Sequence, residues 1–540
     1  MRGSYAHLWH LVGEACSERT AIVAGDLRLS YAEFEDQASR VASMLLARGV
    51  QPGARIAFFL YNRSEFLTTF YAALKIGAVP VSINFRYRQR ELGELLQDCG
   101  ASALLYPSSL SQVVNQLDST TVPGLLLEIN DNDQVGHEGA TPFESYLDHE
   151  PLSAEEKFPE GSLLVYTGGT TGKPKAVVWD EPDLLDIQMY STYGALDIPE
   201  PQNAEQVVRI AADTSLAPTV TLPLAPFIHA TALFNAMNTF LLGGTVVVLP
   251  SPSLSMPRAA ETIRKEQVTG LIVAGDAVVM PLLESLEAGP SGQLEHLRSV
   301  ISSGMRLGDE TKARMHALGN ISIIDMLAST EGGPYAIAVS KQIEDLPARF
   351  RLMPGAVVVD PHMNEIQDLP GETGVLGYRG TLPHGYYNDL EKTLATYPVV
   401  NGHRYVIPGD YVRVQEDGYI ELLGRGASVV NTGGEKVFPS EVEEVLLAHP
   451  RVLDAVVFGM PDPRWGEAVT GMVAVDDPER LDTDELLAFV GERLAGYKKP
   501  RRIIVRHSLE RGPTGKLNMR AIKQGAAASE LGEPDVRTKY

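Results

Sequence analysis

Leu163-Leu-Val-Tyr166 runs directly into Tyr166-Thr-Gly-Gly-Thr-Thr-Gly-Lys-Pro-Lys-Ala-Val177, so a short apolar stretch of strand character hands over to a loop of glycines, hydroxyls and two lysines. The ends of buried strands are where α/β sheets bind ligands. The loop suits a polyphosphate. Small residues let backbone amides approach, Thr167, Thr170 and Thr171 donate hydrogen bonds, and Lys173 and Lys175 add charge. It is not a Walker A loop, because Thr167 stands where that pattern needs its first Gly and Pro174 where it needs Ser or Thr. Taken alone, such a Gly/Thr tract is equally compatible with a plain connecting loop.

Outward from the loop, helical and strand periods alternate. Ser30-Tyr-Ala-Glu33 reads as a capping box, after which Phe34, Ala38, Val41 and Leu45 share one helix face. Residues 55–60 read as a buried strand, 64–77 as a helix and 79–83 as a strand. Further strand-like runs lie at 163–166, 270–274, 299–302 and 321–325. This is βαβ logic and predicts a mainly parallel sheet covered by helices. After Gly424 the texture becomes a short mixed unit: Ser440-Glu-Val-Glu443 is expected to cap a helix, 452–459 and 468–475 to form strands, and 483–494 a helix. The expected fold class is therefore α/β, with a large N-terminal domain of mainly parallel sheets over residues 1–424, a hinge at 425–428 and a small, mobile α+β domain over 429–540. The last residues, from Ala526 to Tyr540, are polar and expected to fray.

At 540 residues the chain exceeds what one core usually supports, and 44% hydrophobic with 21% charged residues is ordinary for globular domains. A formal charge of −23 argues against nucleic acid as a partner, since broad phosphate neutralisation needs clustered Lys and Arg. A small anion such as ATP needs only a few local cations and amides. Two cysteines, Cys16 and Cys99, make neither a disulfide framework nor a Cys-based metal site, and a reducing cytoplasm is the expected location. Residues 1–20 lack the unbroken apolar run of a signal peptide. The longest apolar stretch, 231–250, is broken by Asn235, Asn238 and Gly243-Gly244 and reads as helix, turn and strand rather than a membrane span.

The loop resembles the Tyr-Thr-Ser-Gly-Thr-Thr-Gly-x-Pro-Lys-Gly motif of the adenylate-forming superfamily, which contains acyl-CoA synthetases, nonribosomal adenylation domains and luciferases. Other motifs of that superfamily recur in its order. Pro226-Phe-Ile-His229 resembles its acyl-pocket motif, Ser302-Ser-Gly-Met-Arg-Leu307 its second pocket wall, and Leu327-Ala-Ser-Thr-Glu331 its Tyr-Gly-x-Thr-Glu. Gly409-Asp410 and Gly424-Arg425 resemble its ribose contacts, and Pro513-Thr-Gly-Lys516 its C-terminal Gly-Lys motif.

The resemblance implies an enzyme that joins ATP and a carboxylate into an acyl adenylate with release of pyrophosphate, then passes the acyl group to a thiol with release of AMP. Attack of one anion on another requires charge neutralisation and alignment. By resemblance, Lys516 bridges carboxylate and α-phosphate, Glu331 binds Mg²⁺, Thr330 contacts phosphate, and His229 gates the acyl pocket. ATP and AMP contacts are then expected from Thr167, Gly168, Gly169, Thr170, Thr171, Gly172, Lys173 and Lys175. Further nucleotide contacts are expected from Ser303, Gly304, Met305, Asp325, Met326, Leu327, Ala328 and Ser329, with Asp410 and Arg425 on the ribose. Asn431, Gly433, Gly434, Glu435 and Lys436 are expected to face CoA. Read without the motifs, Lys516 is a surface lysine, Glu331 a solvated cap, Asp410 a turn residue, Arg425 a surface ion-pair partner and His229 a packed histidine.

Several positions depart from the pattern. Leu327-Ala328 replaces Tyr-Gly beside the adenine, Gly168 and Ala176 replace Ser and Gly in the loop, and Ala427 stands at a hinge position that is often Asp or Lys. The segment from Asn431 to Pro439 resembles that of actinobacterial fatty-acid and sterol side-chain CoA ligases, with terpenoid acids as another candidate substrate. No Asp follows the pocket motif in Phe227-Ile-His-Ala-Thr231 to pair an amine, so an amine-free acid is expected. The leading expectation is an acid:CoA ligase using ATP, Mg²⁺ and CoA. The alternative is a ligase that loads the phosphopantetheine thiol of a carrier protein. A homodimer is the default assembly.

Overall fold

The computed structural model describes residues 3–132, 136–153, 158–167, 174–194, 198–289, 294–425, 428–432, 435–462, 466–494, 496–511 and 517–528. The chain divides into two compact units, Met1–Ala348 with Tyr378–Val406, and Arg349–Gly377 with Ile407–Tyr540. The expected hinge at 425–428 falls within the second unit, and residues 426–427 lie outside those described.

The first unit is built on two sheets with strands fed by helices. In one, the order is Gly332–Ser340, Ser322–Ser329, Ser299–Ser303, Gly270–Val273, Val220–Pro223, Thr245–Val248, Thr20–Ala24, Leu27–Ser30. All neighbours in this run are parallel except the two outermost pairs. In the other, Ser162–Thr167, Val79–Ser82, Arg55–Phe58, Ala103–Pro107, Leu125–Ile129 and Thr141–Pro142 run parallel, while Lys175–Asp180 and Gly385–Tyr386 continue the edge antiparallel. Every residue of Val79–Ser82 and Ala103–Pro107 is buried, as strands covered on both faces require.

The helices bury their apolar stripes against these sheets. Tyr31–Ala47 starts where the capping box places it: Ser30 Oγ accepts from Glu33 N, and the Glu33 carboxylate accepts from Ser30 N at 2.7 Å. Phe34, Ala38, Val41 and Leu45 are all buried on its inner face. An aromatic cluster locks this helix to its neighbours: the Trp9 ring sits edge-on to Tyr71 at 5.2 Å and to Phe240 at 5.4 Å, and Phe34 lies 5.0 Å from Phe240. The apolar stretch expected to break into helix, turn and strand does so, as Ala230–Leu241 and Thr245–Val248.

The second unit holds the strands Ala356–Val359, Thr373–Tyr378, Asp410–Val414, Tyr419–Arg425 and Phe350–Leu352 in that order. Its C-terminal part is a mixed sheet of Glu435–Val437, Val430–Thr432, Gly466–Ala474 and Asp454–Asp462, with Arg502–Arg506 also paired to Gly466–Ala474. The helices Pro439–Leu447 and Thr483–Gly491 contribute Val442, Leu446, Leu486 and Val490 to one core with Val457 and Val473. One expectation is corrected here. Ser440 does not cap its helix: the cap position is Phe438, and Pro439, with its preset φ and missing N–H, takes the first helical position. The Ser440 hydroxyl instead donates to the Leu423 carbonyl at 2.5 Å. The C-terminal stretch expected to fray from Ala526 is helical as far as Ala528, where Met519–Ala528 ends.

Candidate active site

Because the strands Val220–Pro223, Gly270–Val273 and Ser299–Ser303 run parallel, the sheet that holds them delivers the segments that follow to one edge. The pocket motif follows the first of these. Asn62, two residues outside the other sheet's strand-end segment Phe59-Leu60, grips it from below: its Nδ2 donates to the Ala225 carbonyl at 3.0 Å and its Oδ1 accepts from Phe227 N at 2.7 Å. Phe227 and Ile228 are buried, while His229 occupies the cap position of Ala230–Leu241 and is exposed. The reading of His229 as a packed histidine is therefore corrected.

Gly275, at the next strand end, has φ +64°, and a Cβ there would run into the Arg306 carbonyl oxygen and approach Met305 Cβ to 2.7 Å. Only glycine permits this close passage of two strand-end turns. Its N–H donates to Ser302 Oγ at 3.2 Å. Ser303 Oγ donates to the Met326 carbonyl at 3.0 Å, and Gly304, φ +83°, turns the chain so that Met305 stays partly exposed. Met326, Leu327, Ala328 and Ser329 close the strand Ser322–Ser329, all partly exposed, with Ser329 Oγ and Tyr335 OH sharing a hydrogen bond of 2.7 Å. Asp325 behaves differently. It is buried, its carboxylate is 3.2 Å from Lys312 Nζ, and burial pushes its carboxyl above the usual range, with Lys312 offsetting part of the shift.

Thr330 and Glu331 form the turn into Gly332–Ser340, and four side chains hold them. Trp179 Nε1 donates to the Thr330 carbonyl at 2.8 Å and Tyr397 OH to the Glu331 carbonyl at 2.9 Å. Tyr386 OH donates to Glu331 Oε1 at 2.8 Å, and Thr167 Oγ1 reaches the same oxygen at 3.4 Å. Burial, then the nearby Glu331 charge, raises the Tyr397 phenol far above its ordinary value, so it remains a donor. Both bonds fall on Oε1, leaving Oε2 of the half-buried Glu331 without a partner among the described residues. No group of three or more His, Cys, Asp or Glu among the described residues converges on a metal position. One oriented carboxylate fits Mg²⁺, which takes one or two carboxylates and otherwise uses substrate phosphates and water.

Thr167 ends the strand Ser162–Thr167 and Lys175 opens its antiparallel partner, so the two flank the phosphate loop in register. Gly168, Gly169, Thr170, Thr171, Gly172 and Lys173 lie outside the described residues. Ala176, which departs from the motif's glycine, pairs with Tyr166 across these strands and is buried, and Tyr166 OH donates to Asp98 Oδ2 at 2.6 Å. Lys175 Nζ lies 2.6 Å from Asp389 Oδ2.

In the second unit, Asp410 is half-buried after Gly409, φ +95°, and stands directly opposite Arg425 in antiparallel register. The two ribose candidates therefore sit side by side on neighbouring strands. Asn431 pairs with Lys436 and Thr432 with Glu435, around residues 433–434. Gly433, Gly434 and Lys516 lie outside the described residues, as do the side chains of Arg425, Asn431, Glu435 and Lys436. Asn62, Asp98, Trp179, Tyr386, Asp389 and Tyr397 were not expected from the sequence. Each acts on a partner far away in the chain, and none belongs to a motif read above.

Known proteins supply the remaining comparison. Residues 10–387 match the family model described as AMP-binding enzyme, and residues 441–516 match the AMP-binding enzyme C-terminal domain. A Mycobacterium tuberculosis protein named medium/long-chain-fatty-acid–CoA/3-oxocholest-4-en-26-oate–CoA ligase is 34% identical, over 95% of this chain and 94% of its own. The 3-oxocholest-4-en-26-oate–CoA ligase of Rhodococcus rhodochrous is 32% identical, over 94% of this chain and 93% of its own. Among solved structures, the anthranilate CoA ligase AuaEII in complex with anthranoyl-AMP superposes with a TM-score of 0.79 at 21% identity, covering 98% of each chain, which speaks for the fold.

Proposed function

This chain belongs to the AMP-binding enzyme family, and on that footing we propose that it activates a bulky, apolar carboxylic acid without an amino group and passes the acyl group to CoA. It is an AMP-forming acyl-CoA synthetase, which uses ATP with Mg²⁺ and takes CoA as cosubstrate. The observation that carries the assignment of roles is the Thr330-Glu331 turn, clamped by Tyr386, Tyr397 and Trp179 beside Thr167, with one carboxylate oxygen open among the described residues.

In the first step a carboxylate oxygen of the acid attacks the α-phosphorus and pyrophosphate leaves. In the second the CoA sulfur, losing its proton, attacks the acyl carbon and AMP leaves. Thr167, Lys175 and the loop between them hold the triphosphate, and Thr330 donates to phosphate. Glu331 would hold Mg²⁺, which would supply neutralisation of the phosphate charge. Lys516 is assigned the cation that meets carboxylate and α-phosphate together, Asp410 and Arg425 the ribose, and the strands around 433–434 the CoA arm. Ser303 to Met305 and Met326 to Ser329 line the nucleotide and acyl positions. Leu327 replaces a stacking ring with an apolar contact. The division at 425–428 belongs to the same proposal, since Lys516 and the CoA-facing residues follow it.

An apolar, amine-free acid is supported by Phe227 and Ile228, both buried, in a pocket motif that offers no carboxylate to an ammonium group. The two relatives named as fatty-acid and sterol-acid ligases point the same way. His229, exposed at the start of Ala230–Leu241, is assigned the gate of the acyl pocket. No helix among the described residues is long and apolar enough to cross a membrane. Both cysteines are free thiols, in keeping with the reducing cytoplasm proposed as the location. A pyrophosphate-exchange screen over fatty, steroidal, terpenoid and aromatic acids, repeated with CoA and with a pantetheinylated carrier protein as acceptor, tests the reading. Exchange with apolar acids and thioester formation on CoA is expected. Preference for amino acids, or transfer to the carrier alone, would overturn it.

A further inference from the structure

Lys175 is poised beside the phosphate loop, yet its charge is already answered: Nζ lies 2.6 Å from Asp389 Oδ2. The position of that carboxylate is fixed from two sides. Gly385–Tyr386 pairs with Lys175–Asp180 in antiparallel register, Tyr386 opposite Val177, which brings the following residues alongside the lysine. Asp389 is then the cap of Leu390–Thr396, its Oδ1 accepting from Lys392 N at 3.0 Å. One oxygen serves the helix and the other the lysine. The hydrogen bond from Lys175 holds the Asp389 carboxyl below its usual range, so it is an anion whenever nucleotide binds. Both side chains keep access to water, at 34% and 21% exposure, so the pair can open without uncovering buried charge.

We propose that Asp389 is the resident counter-ion of the phosphate-loop lysine: it holds Lys175 in place without nucleotide and competes with the triphosphate for it, so that its charge sets how tightly ATP and pyrophosphate are held. A polyphosphate carries more charge than a carboxylate and displaces it from the ammonium. Breaking the Lys175–Asp389 pair costs part of the energy that the new contact gains, which weakens net binding. Once pyrophosphate has formed, return of Asp389 to Lys175 favours its departure. Asp389 is thus a positioning residue that acts through Lys175. The inference rests on the reading of Lys175 as a phosphate contact given above.

The alternative is that Asp389 is a helix cap and nothing more, and Asp389→Asn separates the two. Asn caps a helix about as well as Asp, so the fold keeps its support while the charge goes. With the full chain, steady-state kinetics in ATP and inhibition by inorganic pyrophosphate are measured for wild type, Asp389→Asn, Lys175→Ala and the double variant. For Asp389→Asn, the KM for ATP and the inhibition constant for pyrophosphate are both expected to fall about two- to fivefold, the scale of a partly exposed ion pair, with an unchanged melting temperature. Lys175→Ala is expected to raise both constants, and adding Asp389→Asn to it to change neither further. If Lys175→Ala leaves both constants unchanged, the phosphate-contact reading fails and the counter-ion with it. If Lys175→Ala weakens binding but Asp389→Asn does not tighten it, the counter-ion alone is overturned. Equal tightening in the double variant would place Asp389 on the nucleotide itself and also overturn action through the lysine.

Discussion

Two clusters in the first unit are made of nearly the same side chains and do opposite things. In one, Glu35 of Tyr31–Ala47 receives Lys75 Nζ at 2.5 Å, Tyr71 OH at 2.5 Å and His10 Nδ1 at 3.1 Å, drawing three helices together. In the other, Glu331 receives Tyr386 OH and, more loosely, Thr167 Oγ1, with Lys175 on the strand between those of Tyr386 and Thr167 and Asp389 three residues past Tyr386. The Lys75 side chain is 1% exposed and shielded by the rings of Tyr71 and Phe158, whereas that of Lys175 is 34% exposed. A carboxylate whose oxygens are both occupied and whose lysine is buried can only hold helices. One with an open oxygen at the edge of a sheet can take a ligand. Residue type does not decide between structure and chemistry here; exposure and unspent hydrogen-bonding capacity do.

The contrast breaks most visibly under substitution of the two glutamates. Glu331→Gln should lower the adenylation kcat by about a hundredfold or more, the scale of losing an electrostatic partner of the transition state, with little change in melting temperature. Glu35→Ala should do the reverse. It strands the Lys75 charge in the interior and should cost about 3–5 kcal/mol in denaturant unfolding, with kcat/KM of the folded fraction preserved. Equal loss of activity from both, or equal loss of stability, would erase the distinction.

Acid sharpens it. Burial opposes ionisation of Glu35, but the hydrogen bond from His10, the charge and hydrogen bond of Lys75 and the hydrogen bond from Tyr71 prevail and hold its carboxyl at about 2. Its folded value lies below the unfolded one of about 4.3, so its contribution is fully present above that value and is lost as pH falls towards 2. Wild type should therefore lose on the order of 3 kcal/mol between those limits that Glu35→Gln does not lose again, measured by urea unfolding at each pH. Parallel pH profiles for the two proteins would mean that the Glu35 cluster does not stabilise the fold through its charge.

The smallest effect concerns the clamp itself. Tyr386→Phe keeps the ring, which lies 6.2 Å from that of Tyr397, and removes only the hydroxyl on Glu331. The Mg²⁺ concentration for half-maximal adenylation should rise about tenfold, as for other outer partners of metal-binding groups, while the melting temperature stays unchanged. A fall in kcat with no shift in the Mg²⁺ requirement would mean that Tyr386 supports the turn and not the carboxylate.

Much of this architecture is readable from local pattern. The capping box at Ser30, the all-apolar strands and the turns that end them depend on near neighbours, and those expectations agree with the structure to within a few residues. Ser440 shows how a local rule loses to a neighbour, since Pro439 claims the first helical position. The clamp on Thr330-Glu331 could not be read this way. Trp179, Tyr386 and Tyr397 meet that turn only because two sheets bring their strand edges together, and an isolated tyrosine in Gly385-Tyr-Tyr-Asn-Asp389 carries no sign of its partner. Asp325 is a further case: the motif beside it points to the nucleotide, and nothing in it announces the ion pair that its carboxylate makes with Lys312 at 3.2 Å.

The central claim is that this chain makes a thioester by way of an acyl adenylate. The most direct measurement is product stoichiometry with an apolar acid accepted in the exchange screen, ATP, Mg²⁺ and CoA. One AMP and one pyrophosphate should appear for each acyl-CoA, and omission of CoA should leave enzyme-bound acyl-AMP. Formation of ADP and phosphate in place of AMP and pyrophosphate would contradict it.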